Sequence, residues 1–201
     1  MRKKVLENHQ IFLERIEVFK KFGIDRNKEK EFILNNSLPI KGNILEIGTG
    51  KGHFTLALAK QGYSFTSVDI SKEDQALAKL NLEYFKVKEK VNFKIANAEN
   101  LGFNDSSFDV IFSVNTIHHL SNPYKAIAEM IRLVLPGGKI ILSDFNKNGF
   151  SILDQIHKAE GRNHNKSFVT LKDLRDYLMR RGFWVREIKG ENQDLIISDK
   201  H

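Results

Sequence analysis

The stretch 43-NILEIGTGKG-52 decides the fold of this 201-residue chain. Its apolar run 44–47 predicts a short buried strand, and the glycines at positions 48, 50 and 52 predict a tight turn directly after it. The next segment, from Phe54 to Gly62, has the apolar spacing of a helix. A glycine turn between a strand and a helix lets the backbone approach a ligand closely, and the first N–H groups of the helix point at that ligand.

The rest of the chain alternates in the same way, which predicts an α/β protein. Parallel strands need helical crossovers, so we expect a mostly parallel sheet of seven strands with helices on both faces. The last two strands have only a short polar link between them, which predicts a C-terminal antiparallel hairpin. The predicted strands are 43–47, 64–68, 91–95, 109–114, 139–143, 183–188 and 195–198, and the predicted helices after the glycine turn are 54–62, 73–87, 123–134, 151–159 and 171–181.

Residues 1–40 are predicted to form a helical cover that precedes the main domain, residues 41–201. Two helices are expected, broken near Gly23 and ended before Pro39. Two interpretations of the cover stay open. It is either a lid that orders when a ligand binds or a helical unit packed permanently on the sheet. Four phenylalanines at helical spacing are interpreted as core residues: Phe12, Phe19, Phe22 and Phe32.

The composition excludes several classes of chemistry. The chain has no cysteine, which excludes disulfides, thiolate metal sites and cysteine nucleophiles. No apolar run reaches the roughly 18 residues that a membrane-spanning helix needs, so we predict a cytoplasmic protein without membrane contact. The net charge of +7 comes from 32 basic and 25 acidic residues that are scattered along the chain. A solvated surface is the favoured interpretation, and a nucleic-acid partner stays open without a supporting motif.

Asp69 lies at the end of the second predicted strand, 21 residues after Gly48. A carboxylate at this spacing from a glycine turn accepts both hydroxyl groups of a ribose, so the pair indicates a nucleoside ligand. ATP is disfavoured because a phosphate-binding loop needs Ser or Thr after its Gly-Lys, where this chain has Gly52. NAD is disfavoured less strongly, because His53 stands where a dinucleotide site has its third glycine.

Residues 44–52 and Asp69 resemble motifs I and II of the class I S-adenosylmethionine-dependent methyltransferases. Later segments resemble that family in the same order, namely 97–103 with 107–109, then 115–120 and 135–139. The resemblance covers residues 40–145. It implies a Rossmann-like fold, S-adenosylmethionine as cofactor, S-adenosylhomocysteine as product and direct in-line transfer of a methyl group.

The resemblance also implies the residues that bind the cofactor. Asn97 departs from the family, which commonly has an aspartate there that accepts a hydrogen bond from adenine. An asparagine carbonyl still accepts such a bond, so we keep Asn97 in the predicted site. The implied residues are Glu46, Gly48, Thr49 and Gly50 at the methionine side, Asp69 and Ile70 at the ribose and adenine edge, Asn97 and Ala98 at the adenine, and Asn115 below the methionine moiety.

His118 and His119 are the candidate catalytic residues, because they follow the fourth strand near the expected acceptor. A histidine there is able to take a proton at neutral pH. His118 is preferred, since Ile117 and Leu120 look like core positions. The alternative interpretation is a packing or capping histidine.

Three further residues are weaker candidates for contact with the acceptor or with a metal, namely His157, His164 and Asp144. His157 and His164 belong to a segment that commonly shapes the acceptor pocket in the family, but their spacing specifies no metal geometry. Asp144 ends the fifth strand and is interpreted as a cap. No metal site is predicted.

These observations predict a methyltransferase with a small-molecule acceptor, because the fold uses nearly the entire chain and leaves no separate target-reading domain. The alternatives are an RNA or protein methyltransferase, a non-catalytic protein that binds S-adenosylmethionine, and a nucleotide-dependent oxidoreductase. Residues 113–116 lack the Asn/Asp-Pro-Pro-aromatic sequence of amino-group methyltransferases that act on adenine or glutamine. The acceptor atom and the oligomeric state are not predicted.

Overall fold

A computed structural model of the chain describes residues 2–162 and 169–200. The strands are β1 (Ile44–Ile47), β2 (Phe65–Asp69), β3 (Val91–Ile95), β4 (Phe108–Val114), β5 (Val134–Phe145), β6 (Trp184–Lys189) and β7 (Gln193–Asp199). The α-helices are α1 (Arg2–Lys21), α2 (Arg26–Asn36), α3 (His53–Lys60), α4 (Lys72–Tyr84), α5 (Pro123–Leu133), α6 (Lys147–Ala159) and α7 (Leu171–Arg180). Short 3-10 turns cover Lys88–Lys90 and Ile117–His119.

The strands form one sheet in the order β3-β2-β1-β4-β5-β7-β6. The first five are parallel, whereas β7 runs antiparallel to β5 and β6 runs antiparallel to β7. The predicted α/β class with its C-terminal antiparallel pair is therefore confirmed. The chain winds outward in one direction from β1 through β2 and β3, and then in the other direction from β4. Ligands of such sheets bind at the carboxyl ends of the strands where the winding reverses, which here lies between β1 and β4.

Both faces of the sheet are covered, which explains why β1 is buried along its whole length. One hydrophobic cluster packs α3 and α4 against one face, and a second packs α5 and α7 against the other. A strand buried on both faces has a continuous apolar sequence rather than an alternating one, and this is the pattern of residues 44–47.

The strand β5 is longer than the predicted 139–143, because it begins at Val134 and includes Pro136, Gly137 and Gly138. The pairing of β4 with β5 shifts between Phe108 and Val110, where the extra residues of β5 are accommodated. A Pro-Gly-Gly sequence normally indicates a turn, so the sequence pattern concealed this part of the strand.

Helix α1 packs against α4 and the start of α3. The side-chain amide of Asn8 donates to Asn81 Oδ1 at 2.7 Å, and the ring of His9 stacks on Tyr84 with 3.5 Å between centroids. Phe12 stacks on His53, with 4.5 Å between centroids. These contacts favour the permanently packed helix over the lid for α1. Phe12 and Phe19 are buried as predicted, and Phe22 and Phe32 are partly buried against the hydrophobic clusters.

No helix among residues 2–162 and 169–200 is both long enough and apolar enough to cross a membrane.

Candidate functional site

A cavity of about 540 Å³ opens at the carboxyl ends of β1, β2 and β4, where the winding of the sheet reverses. Its size is typical of a site for a small molecule or a cofactor. Most of the predicted site residues line it, namely Gly48, Thr49, Gly50, Asp69, Ile70, Asn97, Ala98, Asn115 and His119. The topology thus brings together residues that are 71 positions apart in the sequence, from Gly48 to His119.

The glycine turn is held against β2 by backbone hydrogen bonds. The N–H groups of Gly48 and Thr49 both donate to the carbonyl of Val68, at 2.9 and 3.1 Å. Gly48 has a φ of +93°, and a Cβ atom there would lie 1.9 Å from Thr116 Oγ1. A Cβ atom on Gly50 would meet nothing within 4 Å, because Gly50 faces the open cavity. Gly48 is therefore required by the protein's own packing, whereas Gly50 borders space that a ligand can fill.

Asp69 ties the end of β2 to the glycine turn. Its Oδ2 accepts a hydrogen bond from the N–H of Gly50 at 2.6 Å, and its Oδ1 accepts one from the N–H of Ser71 at 2.8 Å. Each carboxylate oxygen retains a second lone pair. Asp69 is thus able to accept two ligand hydroxyl groups while it holds the turn in place.

Glu46 does not face the cavity, and this differs from the role implied by the resemblance. Its side chain is buried behind the turn, where it accepts hydrogen bonds from the hydroxyl groups of Thr55 at 3.0 Å and Ser67 at 2.5 Å. Burial raises the pKa of the Glu46 carboxyl to about 8, against the opposing effect of these two hydrogen bonds. Ser67 also bonds to the hydroxyl of Thr49 at 2.6 Å, so Glu46 supports the turn from beneath.

Asn97 lies at the edge of the cavity beyond β3. Its Oδ1 accepts a hydrogen bond from the N–H of Glu99 at 2.9 Å, which fixes the side chain in a local turn. One lone pair of Oδ1 and the amide N–H groups are left for a ligand. Ile70 lines the same region and is 70% exposed, so it presents an apolar surface on which a flat ligand is able to stack.

Asn115 follows β4 with a left-handed backbone conformation, at a φ of +53°. Its N–H donates to the carbonyl of Ser143 at 2.8 Å, which aligns the end of β4 with β5. Its Oδ1 is buried and has no hydrogen-bond partner among residues 2–162 and 169–200. A buried acceptor without a donor is costly, so this atom on the cavity wall indicates a ligand that brings an N–H or O–H group.

The two candidate histidines have different surroundings, and of the two it is His119 that lines the cavity. The ring of His118 is buried, and its Nδ1 lies 2.6 Å from Asp144 Oδ1. Asp144 Oδ2 also accepts the backbone N–H of His118 at 3.1 Å, so the predicted capping role of Asp144 is seen. His119 is exposed and lines the cavity. Leu120 is partly exposed on the cavity wall rather than in the core, so the core pattern on which the preference for His118 rested is seen at Ile117 and not at Leu120.

Two further histidines were predicted near the acceptor pocket, His157 and His164. His157 lies on α6, where burial lowers its pKa, and it does not line the cavity. His164 lies outside the described residues. Within 2–162 and 169–200, no group of three His, Cys, Asp or Glu side chains is placed to hold a metal ion.

One wall of the cavity was not predicted, because it comes from α2 and from the sheet edge beyond β4. Helix α2 turns Arg26, Glu29, Lys30 and Ile33 toward the cavity, and Phe145 and Gln193 complete this wall. The sequence signal was the i, i+4 spacing of Arg26 and Lys30, which places both cations on one face of the helix. The sequence did not show that this face points at the glycine turn.

The comparisons with known proteins agree with the geometry. A family model described as a methyltransferase domain matches residues 45–142. A mitochondrial ubiquinone biosynthesis O-methyltransferase from Dictyostelium discoideum is 29% identical over 76% of this chain and 53% of its own length. A ubiquinone/menaquinone biosynthesis C-methyltransferase UbiE from Rickettsia bellii is 31% identical over 79% of this chain and 67% of its own length. The chain thus spans about half the length of the first of these relatives and two thirds of the second.

A solved structure gives the same result. The crystal structure of an S-adenosylmethionine-dependent methyltransferase from Methanosarcina mazei is 27% identical in sequence, with a TM-score of 0.64. The match covers 84% of this chain and 96% of that one. Sequence family, sheet order and cavity position agree, and the chain belongs to the class I S-adenosylmethionine-dependent methyltransferases.

Proposed function

We propose that this protein is an S-adenosylmethionine-dependent methyltransferase that acts on a small-molecule acceptor by direct in-line methyl transfer. The observation that carries the proposal is the composition of one cavity. Asp69 and Asn97 line this cavity with oxygens that are able to accept hydrogen bonds from a nucleoside. The same cavity contains the buried Asn115 Oδ1, which has no partner among the described residues, and a second wall formed by α2 and the end of β5. A site of this kind has room for a cofactor at one end and an acceptor at the other.

The residues present fit the cofactor of the family. Asp69 would accept the ribose hydroxyl groups, Asn97 and Ile70 would hold the adenine, and Asn115 Oδ1 would accept a hydrogen bond from the amino group of the methionine moiety. Gly50 borders open space, so the turn is able to approach the methionine moiety closely. When bound, S-adenosylmethionine supplies an electrophilic methyl group on a sulfonium centre, which an acceptor attacks in line.

The protein's own contribution is positioning and the removal of a proton. Holding a nucleophile in line at contact distance accounts for a large part of the rate enhancement in bimolecular reactions. His119 lines the cavity and is exposed, which supports the proposal that its imidazole takes a proton from an acceptor hydroxyl or amine. The His118 and Asp144 pair fixes the turn that carries His119.

The relatives include both an O- and a C-methyltransferase of ubiquinone or menaquinone biosynthesis, so the similarity supports a small acceptor that is methylated on either oxygen or carbon. A cytoplasmic location stays a prediction.

The proposal is tested first by the choice of cofactor. A thermal-shift panel with S-adenosylmethionine, S-adenosylhomocysteine, NAD and ATP should show stabilisation by the first two only. Incubation with S-adenosylmethionine carrying a deuterated methyl group, together with a panel of small acceptors, should then give a labelled product by mass spectrometry. Stabilisation by NAD alone would contradict the proposal, and labelled RNA or protein without any labelled small molecule would contradict its acceptor class.

A further inference from the structure

The wall of the cavity formed by α2 carries two cations, Arg26 and Lys30, beside one carboxylate, Glu29. Arg26 and Lys30 both line the cavity, one helical turn apart. Among residues 2–162 and 169–200, neither has an acidic side chain within ion-pair distance. Two unpaired like charges at positions i and i+4 repel each other, so the arrangement is unfavourable for the helix itself.

The position of Arg26 adds a second unfavourable contribution. It is the first residue of α2, where the helix dipole is positive and cations are disfavoured. The carboxylate of Asp25 does not pair with it, because its Oδ1 accepts the backbone N–H groups of Asn27 and Lys28 as the N-cap. The positive end of the helix and two cations thus converge on one part of the cavity wall.

The Arg26 guanidinium is held in place by an aromatic ring. It lies over the ring of Phe19, with 4.3 Å from its carbon to the ring centroid. Burial lowers the pKa of Arg26 to about 10, and it lowers the pKa of Lys30 to about 8, with further repulsion from Arg26 and Lys60. Both groups are partly buried and form no ion pair with the described residues, and such cations bind an anion favourably.

Glu29 is the acidic residue on the same wall. It accepts a hydrogen bond from the side-chain amide of Asn192 at 3.3 Å and forms no ion pair with Arg26 or Lys30. Burial raises the pKa of the Glu29 carboxyl and the charge of Arg26 lowers it, so Glu29 offsets one of the two positive charges at most. The remaining acids of the cavity wall, Asp69, Asp74 and Glu99, lie at the nucleoside side.

We propose that the methyl acceptor is an acid, and that Arg26 and Lys30 bind its carboxylate or phosphate group. This inference rests on the proposed function. The cofactor itself brings a sulfonium, an ammonium and one carboxylate, so it adds positive charge in total to a wall that already has an excess. An anionic acceptor removes that excess, and the planar guanidinium of Arg26 suits bidentate binding of a carboxylate or phosphate.

The test uses the protein saturated with S-adenosylhomocysteine and three probes: benzoate, phenyl phosphate and neutral benzamide. Calorimetry should show that at least one of the anions binds about tenfold or more tightly than benzamide, as expected for charge-assisted hydrogen bonds. Lys30→Gln and Arg26→Gln should each remove about tenfold of that preference and leave benzamide binding unchanged. Lys30→Arg should retain it. Lys28→Gln is the matched control, because Lys28 lies on the same helix, is exposed and does not line the cavity.

Arg26→Gln also removes the contact with Phe19, so Arg26→Lys, which keeps the charge, separates a folding defect from a binding defect. Equal binding of the anions and benzamide, or an anion preference that survives both Gln variants, would overturn the proposal. The cofactor's own carboxylate is the other source of an anion. It is distinguished by comparing S-adenosylhomocysteine with 5′-deoxy-5′-methylthioadenosine, which lacks the amino-acid group.

The two cations serve the cofactor if both Gln variants weaken the binding of S-adenosylhomocysteine and leave that of 5′-deoxy-5′-methylthioadenosine unchanged. If, in addition, the anions bind no more tightly than benzamide to the S-adenosylhomocysteine complex, the acceptor proposal is wrong. Failure of wild-type protein to bind S-adenosylhomocysteine at all would instead contradict the proposed function.

Discussion

Replacement of Gly48 by alanine should damage folding, and the damage follows from three distances. The added Cβ atom would lie 1.9, 2.7 and 2.8 Å from Oγ1, Cγ2 and Cβ of Thr116. Rotation of the Thr116 side chain cannot clear all three contacts, because its Cβ is among them. The Thr116 hydroxyl also donates to the carbonyl of Val114 at 3.1 Å, which holds the residue in place. Backbone at the end of β1 or β4 must therefore move.

The expected loss has two parts. Overpacking of a well-packed site costs about 1–3 kcal/mol, and an alanine at a φ of +93° adds backbone strain of about 1–3 kcal/mol. The total, about 2–6 kcal/mol, is a large part of the roughly 5–15 kcal/mol by which a domain is stable. Gly62→Ala is the control, because Gly62 has a similar φ of +94° and a Cβ atom there would meet nothing within 4 Å. It should lose only the strain.

Urea denaturation followed by circular dichroism measures the difference between the two variants. Gly50→Ala completes the set, since its Cβ would enter open cavity space; it should fold and yet bind S-adenosylhomocysteine more weakly. A Gly48→Ala protein that is no less stable than Gly62→Ala would refute the reasoning about Thr116.

Four further predictions concern single features. Asp69→Ala should lower S-adenosylhomocysteine affinity by about 2 kcal/mol, because two acceptors for ribose hydroxyl groups are lost; an unchanged dissociation constant in calorimetry would remove Asp69 from the site. The raised pKa of Glu46, about 8 in the folded protein, means that the unfolded chain releases this proton first. Stability should therefore fall as pH rises from about 4.5 to 8, by at most about 1.4 kcal/mol per pH unit, and Glu46→Gln should flatten that slope in urea titrations. Asp144→Ala should cost about 2–3 kcal/mol of stability, since it removes the buried carboxylate that lies 2.6 Å from His118 Nδ1 and accepts the N–H of His118, whereas Asp144→Asn should cost less; equal losses would contradict this role. Amide exchange in residues 5–19 should be slow without ligand and unaffected by S-adenosylhomocysteine, because Val5, Phe12 and Phe19 are buried; exchange that slows only on binding would restore the lid.

The sheet was predictable from the sequence because most of its strands are short apolar runs between helical segments; the central strands β1 and β4 are buried as such runs should be, whereas the outer strands β3 and β6 are largely exposed. The glycine turn and Asp69 were predictable for the same reason, since the carboxyl ends of neighbouring parallel strands meet at one edge. What the sequence could not give was the direction in which a side chain points. Glu46 directly precedes Ile47 and Gly48, which line the cavity, yet its own side chain contacts Ser67 and Thr55 behind the turn.

The reason for Gly48 was also only partly predictable. The glycine pattern indicates a close approach, and the sequence alone suggested that the approaching group is the ligand. The structure shows that it is Thr116, 68 residues later in the chain. The sequence also did not predict that His118 is buried while His119 lines the cavity, or that the cations of α2 point into it. Each depends on how a short turn or helix is rotated against distant elements, and local periodicity carries no information about that rotation.

The most direct test of the central claim is a calorimetric titration of the wild-type protein with S-adenosylhomocysteine, run beside NAD and ATP under the same conditions. The structure and the family predict a single S-adenosylhomocysteine site per chain and no measurable binding of the other two nucleotides. A protein that binds NAD or ATP and does not bind S-adenosylhomocysteine would contradict the account.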